Sequence, residues 1–358
     1  MTELLQLPVQ PRRFLLNKQV RVVAGLDSLT EGTGSPVTSY INTLEPALKA
    51  ILGDAGIGLQ PISYGARMTR VFGTGAFTRS AGGDYINNLA WSSPIRQRSI
   101  MGQGFYYTAA GGAETLGVVP TVGLGAVVAV RVILELRSTG ASLRMRQTSS
   151  QLTSLAHVIN EANGYAVGSL ISVTRPLDGA ISPGFYFDQI TGDVSIYAVD
   201  FVTSTPGVTV TNLGLGGVQA AEWALMLDSR AREWSRLFQA DATLLNAGTN
   251  DRNVSDAMQF SRNIDILIDR FQAAGPANVM LICPNDTSDF GFSNLKDIAS
   301  ILQGVAQSRR CGFHNNRDAL GSYATAVANG DMLDTVHPNS QGSAKITAAL
   351  LPKLLPLA

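Results

Sequence analysis

Apolar residues near the start of the chain follow first a strand spacing and then a helical one. Val20, Val22 and Val23 form a short β-branched run that is typical of a buried strand. Between residues 41 and 52, apolar side chains recur at helical spacing, and Gly53 ends the pattern. A strand followed by a helix is the first half of an α/β unit, so the sequence predicts that architecture from its beginning.

The same alternation of strand and helix patterns returns in the C-terminal part of the chain. Apolar runs at 208–210, 242–247 and 279–283 predict three further strands, and the amphipathic stretches after them predict helices. Strands that alternate with helices in this way form a mostly parallel sheet covered on both faces. We therefore expect a three-layer α/β core.

A different pattern separates these two parts. Residues 78–206 are rich in Gly, Ser, Thr, Val and aromatic residues, with alternating runs at 128–136 and 194–201 that predict strands. Turn sequences such as Ser138-Thr139-Gly140 lie between the runs. This texture predicts a β-sandwich domain inserted into the α/β core.

The insert divides the core into two parts, at residues 18–77 and 207–358. Residues 1–17 contain prolines and a pair of arginines without a sustained apolar pattern. This segment predicts an extended N-terminal arm that lies on a neighbouring surface or partner.

Composition excludes several classes of function. Lys+Arg and Asp+Glu are both 27, so the chain lacks the basic excess that binding to a nucleic-acid backbone requires. The N-terminus lacks the basic flank and apolar run of a secretory signal, and no stretch suits a membrane span, so we expect a protein that is cytoplasmic when made. Cys283 and Cys311 have no metal or redox spacing and are expected to be small buried residues. We expect neither a metal nor a cofactor.

Candidate chemistry lies where the predicted strands end. A parallel sheet gathers reactive groups at the carboxyl ends of its strands. Acyl transfer by a serine needs a base, a carboxylate that orients the base, and donors aimed at the oxyanion. Ser28 follows the first strand as a candidate nucleophile. Of the three histidines, His337 has a carboxylate, Asp334, three residues earlier in the same loop and is the best candidate base.

Four blocks of the sequence resemble the SGNH, or GDSL, family of serine esterases and acetylhydrolases. In chain order they are Asp27-Ser28-Leu29-Thr30-Glu31-Gly32, Asn212-Leu213-Gly214 with Gly217, Gly248-Thr249-Asn250-Asp251, and Asp334-Thr335-Val336-His337-Pro338. The resemblance implies Ser28 as nucleophile, His337 as base and Asp334 as its orienting acid. It also implies an oxyanion hole formed by the backbone amides of Ser28 and Gly217 and the side-chain amide of Asn250.

The resemblance has one departure. The family usually has glycine directly before the Asp-Ser pair, whereas Leu26 stands there and the glycine is Gly25. The sequence alone therefore does not predict the backbone conformation that leads into the nucleophile.

The position of the insert suggests a substrate. An insert between the first two blocks resembles bacterial peptidoglycan O-acetylesterases and phage-tail deacetylases, which act on cell-surface polysaccharide. The resemblance thus implies a serine esterase that removes O-acetyl groups from a carbohydrate. It further implies an acetylated glycan as partner and leaves open assembly into a homo-oligomer or into a phage virion.

Two other functions fit the same sequence. One is a lipase or phospholipase that uses the same residues on longer acyl chains. The other is a non-catalytic virion or surface binding module, inactivated by the change at Leu26.

Several side chains also have two possible interpretations. Asp27 and Asp251 could act as further acids or, by the simpler reading, hold turns through hydrogen bonds. The aromatic residues of the insert could form a sugar-stacking platform or belong to its core. They are Trp91, Tyr106, Tyr107, Phe185 and Tyr186.

Overall fold

The first strand and the helix that ends at Gly53 form where the sequence predicts them, with a short helix between them. Strand β1 spans Gln19–Leu26, helix α1 spans Ser28–Glu31 and helix α2 spans Tyr40–Leu52. The Ser39 side chain caps α2 by accepting a hydrogen bond from the Ile41 N–H, and Gly53 ends it with a positive φ of 90°.

A computed structural model supplies these coordinates and describes the greater part of the chain. The described ranges are 19–32, 38–62, 77–79, 83–111, 116–120, 126–147, 156–177, 184–253, 256–274, 278–288 and 295–355. The predicted arm at 1–17 lies outside them. The chain divides into two units, one up to Asp54 and from Pro206 onwards, the other from Ala55 to Thr205.

The described part of the second unit contains antiparallel strands and a short α-helix. In chain order they are β2 (Gln60–Pro61), β3 (Phe77–Arg79), β4 (Gly83–Tyr85), α3 (Pro94–Arg98), β5 (Phe105–Gly111), β6 (Leu116–Val118), β7 (Val127–Leu136), β8 (Ser142–Arg146), β9 (His157–Asn160), β10 (Ile171–Pro176) and β11 (Phe185–Thr203). The long strand β11 pairs with β2, β5, β6, β7 and β8, and so joins most of the unit. The described strands form one ten-stranded sheet. An antiparallel insert is therefore confirmed, whereas its division into the two packed sheets of a sandwich stays a prediction.

The insert begins earlier than residue 78, the start that the sequence suggested. Strand β2 pairs with β11 at Pro61↔Ala198, and Ile62 is fully buried in the apolar core of the second unit. The second unit therefore starts at Ala55. A strand of two residues has too little periodicity to be recognised in the sequence.

Two of the five aromatic residues considered for a sugar platform belong to the insert's core. Tyr107 and Phe185 are fully buried in its core, and Trp91 has the Arg96 guanidinium 3.8 Å above its ring. Tyr106 and Tyr186 are half-buried. The core reading is thus correct for Tyr107 and Phe185.

After the insert, the first unit continues as alternating strands and helices. They are β12 (Gly207–Asn212), α4 (Ala220–Ala224), α5 (Asp228–Phe238), β13 (Ala242–Asn246), α6 (Ala257–Phe271), β14 (Asn278–Cys283), α7 (Leu295–Arg309), β15 (Gly312–Asn315), α8 (Asn316–Leu320), α9 (Tyr323–Ala328) and α10 (Ser340–Leu354). The strands form a parallel sheet in the order β12-β1-β13-β14-β15.

Helices cover both faces of this parallel sheet. Ala24 of β1 belongs to an apolar cluster with Leu44 of α2 and Leu350 of α10. The next residue, Gly25, points to the opposite face, where the fully buried ring of Trp223 in α4 lies against it. The predicted three-layer α/β core is therefore confirmed.

Further details complete the comparison with the sequence. The stretch between β12 and β13, which the sequence predicts to be helical, forms two helices, α4 and α5, and strand β15 was not predicted. Cys283 and Cys311 are buried free thiols, as expected. None of the described helices combines the length and apolar character needed to cross a membrane.

The contact between Gly25 and Trp223 predicts a stability effect. A Cβ at position 25 would lie 2.5 Å from Trp223 Cη2, so Gly25→Ala should destabilise the first unit by about 1–3 kcal/mol. Gly304→Ala is the control, because Gly304 is an exposed position on α7 where an added Cβ has no atom within 4 Å. This variant should stabilise the protein by about 0.5–1 kcal/mol. Thermal unfolding followed by circular dichroism measures both, and equal Tm values for the two variants would contradict the packing described here.

Candidate active site

The candidate nucleophile lies at a sharp junction between β1 and α1. Asp27 is the N-cap of α1, and its Oδ1 accepts a hydrogen bond from the Leu29 N–H at 3.1 Å. Ser28 is therefore the first residue of the helix, at the carboxyl end of β1. Its half-buried side chain lies at the edge of the sheet where the other strand-end loops meet.

The departure at Leu26 has a physical consequence. Leu26 has a φ of 94°, a left-handed conformation that glycine adopts readily and leucine does not. Leu26 thus adopts a conformation that suits glycine, the residue that the resemblance implies at this position, at a cost on the order of 1–2 kcal/mol. The Leu26 side chain is 1% exposed, and its burial offsets that strain.

Ser28, His337 and Asp334 form a continuous hydrogen-bonded chain. Ser28 Oγ lies 2.8 Å from His337 Nε2, and His337 Nδ1 lies 2.9 Å from Asp334 Oδ2. An ionised Asp334 accepts the proton on Nδ1, which leaves Nε2 with a lone pair that faces the serine hydroxyl. This arrangement can withdraw the proton from Ser28 Oγ.

The loop that carries Asp334 and His337 holds the carboxylate in its charged form. Asp334 Oδ1 accepts hydrogen bonds from the backbone N–H groups of Val336 and His337, both at 2.7 Å. Partial burial acts against the charge, but these N–H groups and the His337 ring outweigh it and lower the pKa of Asp334. The carboxylate therefore stays ionised beside His337 near neutral pH.

Two of the predicted oxyanion donors lie on neighbouring loops. Gly217 has a φ of 77°, and its N–H has no acceptor within the described part of the chain. Asn250 Nδ2 donates to the Val218 carbonyl at 3.0 Å, so the amide lies beside the residue that follows Gly217. A side-chain amide carries two N–H bonds, and the second can donate to a ligand. The neighbouring Gly216 connects this loop to the nucleophile, because a Cβ placed there would lie 3.8 Å from Ser28 Cβ.

Asp251 connects the loops that follow β12 and β13. Its Oδ1 accepts the Ala220 N–H at 2.9 Å and its Oδ2 accepts the Gly248 N–H at 3.2 Å. Burial raises the pKa of Asp251 to about 6 despite these bonds. The structural reading of Asp251 is therefore supported, and its carboxylate fixes the distance between the two donor loops.

Asp27 is buried behind the nucleophile. Burial raises its pKa to about 7, with a further contribution from the charge of Asp251, while hydrogen bonds with Thr249 and backbone N–H groups oppose the shift. Its cap on the Leu29 N–H supports the structural reading of this residue as well.

Sequence reasoning missed two residues that hold the site. Glu31 is buried, and its Oε2 accepts the Gly216 N–H at 2.5 Å, which ties α1 to the Gly217 loop. Asn285 is buried and donates from Nδ2 to the Val336 carbonyl at 3.0 Å. Glu31 lies in the first sequence block and Asn285 at the end of β14, so strand-end position was the available signal for both.

Comparisons with known proteins agree with the fold of the chain. Residues 193–345 match the family model for GDSL-like lipases and acylhydrolases. Among solved structures, a peptidoglycan O-acetylesterase matches with a TM-score of 0.71 and 16% identity, over 95% of this chain and 92% of that chain. Est24, a carbohydrate acetylesterase from Sinorhizobium meliloti, matches with a TM-score of 0.34 and 14% identity, over 41% of this chain and 78% of that chain. A comparison with curated proteins gives no match.

The protein is thus a carboxylic ester hydrolase by class. The family match over residues 193–345 and the parallel five-stranded sheet together support the resemblance to the GDSL, or SGNH, hydrolases.

The raised pKa of Asp27 predicts a pH-dependent stability. Because the folded-state pKa of about 7 lies above the ordinary 3.8, the folded protein holds this proton more tightly. The contribution of that proton to stability is fully present below 3.8 and is lost as the pH rises through about 7. Asp27→Asn keeps the acceptor for Leu29 without the charge, so its gain in Tm over the parent should be larger at about pH 8 than at about pH 5. A Tm difference that does not change with pH would contradict a buried, proton-linked Asp27.

Proposed function

We propose that this protein is a serine esterase that removes O-acetyl groups from a carbohydrate by a Ser-His-Asp mechanism. The observation that carries the proposal is the hydrogen-bonded chain from Ser28 Oγ through His337 to Asp334. Three side chains from loops at opposite ends of the sequence meet there with the geometry that acyl transfer requires.

Each residue has a defined role in the first half of the reaction. Ser28 Oγ attacks the acetyl carbonyl carbon while His337 Nε2 takes the hydroxyl proton, and Asp334 stabilises the resulting imidazolium. The negative charge that develops on the carbonyl oxygen is stabilised by the N–H groups of Ser28 and Gly217 and by the Asn250 amide. His337 then returns the proton to the sugar oxygen, and the sugar leaves an acetyl group on Ser28.

The second half of the reaction uses the same groups with water. His337 takes a proton from a water molecule, and the hydroxide oxygen attacks the acetyl-serine carbonyl. When the tetrahedral intermediate collapses, His337 returns the proton to Ser28 Oγ and acetate leaves. No metal or cofactor is needed at either step, because the protein supplies the base and the charge stabilisation.

Support for a glycan substrate comes from the whole-chain likeness to a peptidoglycan O-acetylesterase. That likeness extends over 95% of this chain and so includes the antiparallel unit as well as the hydrolase core. Parent protein should therefore release acetate from O-acetylated peptidoglycan fragments and should hydrolyse short-chain nitrophenyl esters faster than long-chain ones. A preference for long-chain esters would favour a lipase-like function, and failure of a covalent serine probe to label Ser28 would favour a non-catalytic module.

The proposed nucleophile and base predict large losses of activity. Ser28→Ala and His337→Ala should each lower kcat on 4-nitrophenyl acetate by several orders of magnitude, because each removes a group that takes part in bond making. Labelling of the parent but not of Ser28→Ala by a fluorophosphonate probe identifies the attacking atom. Near-parental turnover in folded Ser28→Ala would rule out the mechanism.

Asn250 predicts a smaller loss with a different origin. Asn250→Ala should lower kcat roughly 10²–10³-fold through a missing oxyanion donor. Gln219→Ala is the control, since Gln219 Nε2 holds the same loop by donating to the Asn250 carbonyl at 3.0 Å but supplies no donor to the oxyanion. Equal losses of kcat in the two variants would indicate that Asn250 only holds its loop.

A further inference from the structure

A cavity with both polar and apolar lining lies at the same edge of the parallel sheet as Ser28. It has a volume of about 280 Å³ and is formed by the ends of β14 and β15 and by helix α7. In the sheet order, β14 and β15 are two and three strands from β1. At about 4.8 Å per strand, the cavity is roughly 10–14 Å from the strand that carries the nucleophile.

Several polar atoms of the cavity form no hydrogen bond within the described residues, although Asp286 and Arg317 form an ion pair. Asp286 Oδ2 accepts the Tyr323 N–H at 3.4 Å, whereas its Oδ1 accepts no hydrogen bond from the residues that the structure describes. Arg317 Nε lies 3.6 Å from Asp286 Oδ2, beyond hydrogen-bond length. Asn315 Oδ1 accepts the Arg317 N–H at 3.1 Å, and this leaves the Asn315 amide hydrogens without an acceptor in the same ranges.

This set of groups suits a ligand with several hydroxyls. A hydroxyl both donates and accepts, so adjacent hydroxyls can donate to the Asp286 carboxylate and accept from Arg317 and Asn315. Cys283 and Ala299 provide apolar surface beside the polar groups. A lone carboxylate beside a guanidinium provides too few ligands for a divalent cation, and it also opposes a phosphate. The volume is close to the lower limit of about 300 Å³ for small-molecule sites, which suits a single sugar ring rather than a long acyl chain.

The cavity is connected to the loop of the candidate base. Asn285 precedes Asp286 and donates from Nδ2 to the Val336 carbonyl, next to His337. The Ser288 N–H donates to the Thr335 carbonyl at 3.0 Å in the same loop. A ligand held by Asp286 therefore binds to a segment that is fixed against the reacting residues.

We propose that this cavity is a subsite for a non-reacting sugar ring of the acetylated glycan, with Asp286, Asn315 and Arg317 binding its hydroxyls. This inference rests on the proposed carbohydrate esterase function. Binding energy from a ring that does not react orients the acetyl group at Ser28, so the subsite should act on glycan substrates and not on small esters.

Two variants test the subsite without touching the proposed catalytic groups. Arg317→Ala removes the donors from a half-exposed helix position, and Ala299→Phe fills the cavity from α7. Arg317→Ala should lower kcat/KM for O-acetylated peptidoglycan fragments roughly 10-fold through the loss of about one charged hydrogen bond, and Ala299→Phe should lower it at least as much by excluding the ring. Turnover of 4-nitrophenyl acetate should stay within about twofold of the parent. Ala348→Phe, at an exposed position on α10, is the matched control and should change neither rate.

The outcomes separate this inference from the proposed function. Unchanged fragment turnover in Ala299→Phe would overturn the subsite even if the parent is an active glycan esterase. If the parent hydrolyses 4-nitrophenyl acetate but releases no acetate from the fragments, the proposed substrate is wrong. The subsite is then decided by NMR titration of the parent with the de-O-acetylated fragments: binding that Ala299→Phe abolishes supports it, and no binding overturns it.

Discussion

The hydrogen bond between Ser28 and His337 is the interaction on which the rest of this structure depends. It joins residues near opposite ends of the sequence at 2.8 Å. The parallel sheet makes this possible, because β1 lies between β12 and β13 and all strand ends point to one edge. The order of strands thus decides which loops can contribute to the site, and the helices that cover both faces hold that order rigid.

Buried polar groups hold several loops together at one edge of the sheet. Removing these groups from water costs free energy of folding. Asp251, Glu31 and Asn285 each donate or accept hydrogen bonds that tie a loop to its neighbour. Burial raises the pKa of both Asp27 and Asp251, and the charge of Asp251 adds to the shift at Asp27. Burial of these carboxylates lowers the stability of the fold near the site but fixes the positions of the loops that form it. Such a loss of stability is common at catalytic centres.

Much of this organisation could be predicted from the sequence because it has a periodic or a motif signal. Residue type and spacing predict the α/β pattern and the position of Ser28 at the end of a strand. They also predict the pairing of Asp334 with His337. The left-handed backbone at Leu26 could not be predicted, because leucine gives no local signal for a positive φ. Strands β2 and β15 are too short for their periodicity to be read. The roles of Glu31 and Asn285 depend on tertiary contacts between distant loops, which one sequence does not reveal.

The point where the chain leaves the parallel sheet touches the point where it returns. The Val208 N–H donates to the Gly53 carbonyl at 2.9 Å, and a Cβ on Gly207 would lie 2.4 Å from the Gly53 carbonyl carbon. Only glycines permit so close an approach of two backbones. The contact at this junction closes the loop formed by the second unit. The entropic cost of closing a loop grows only with the logarithm of its length, so it depends little on the size of that unit. In evolution, such a junction allows a hydrolase core to gain, lose or exchange an accessory unit without a change of register in its sheet.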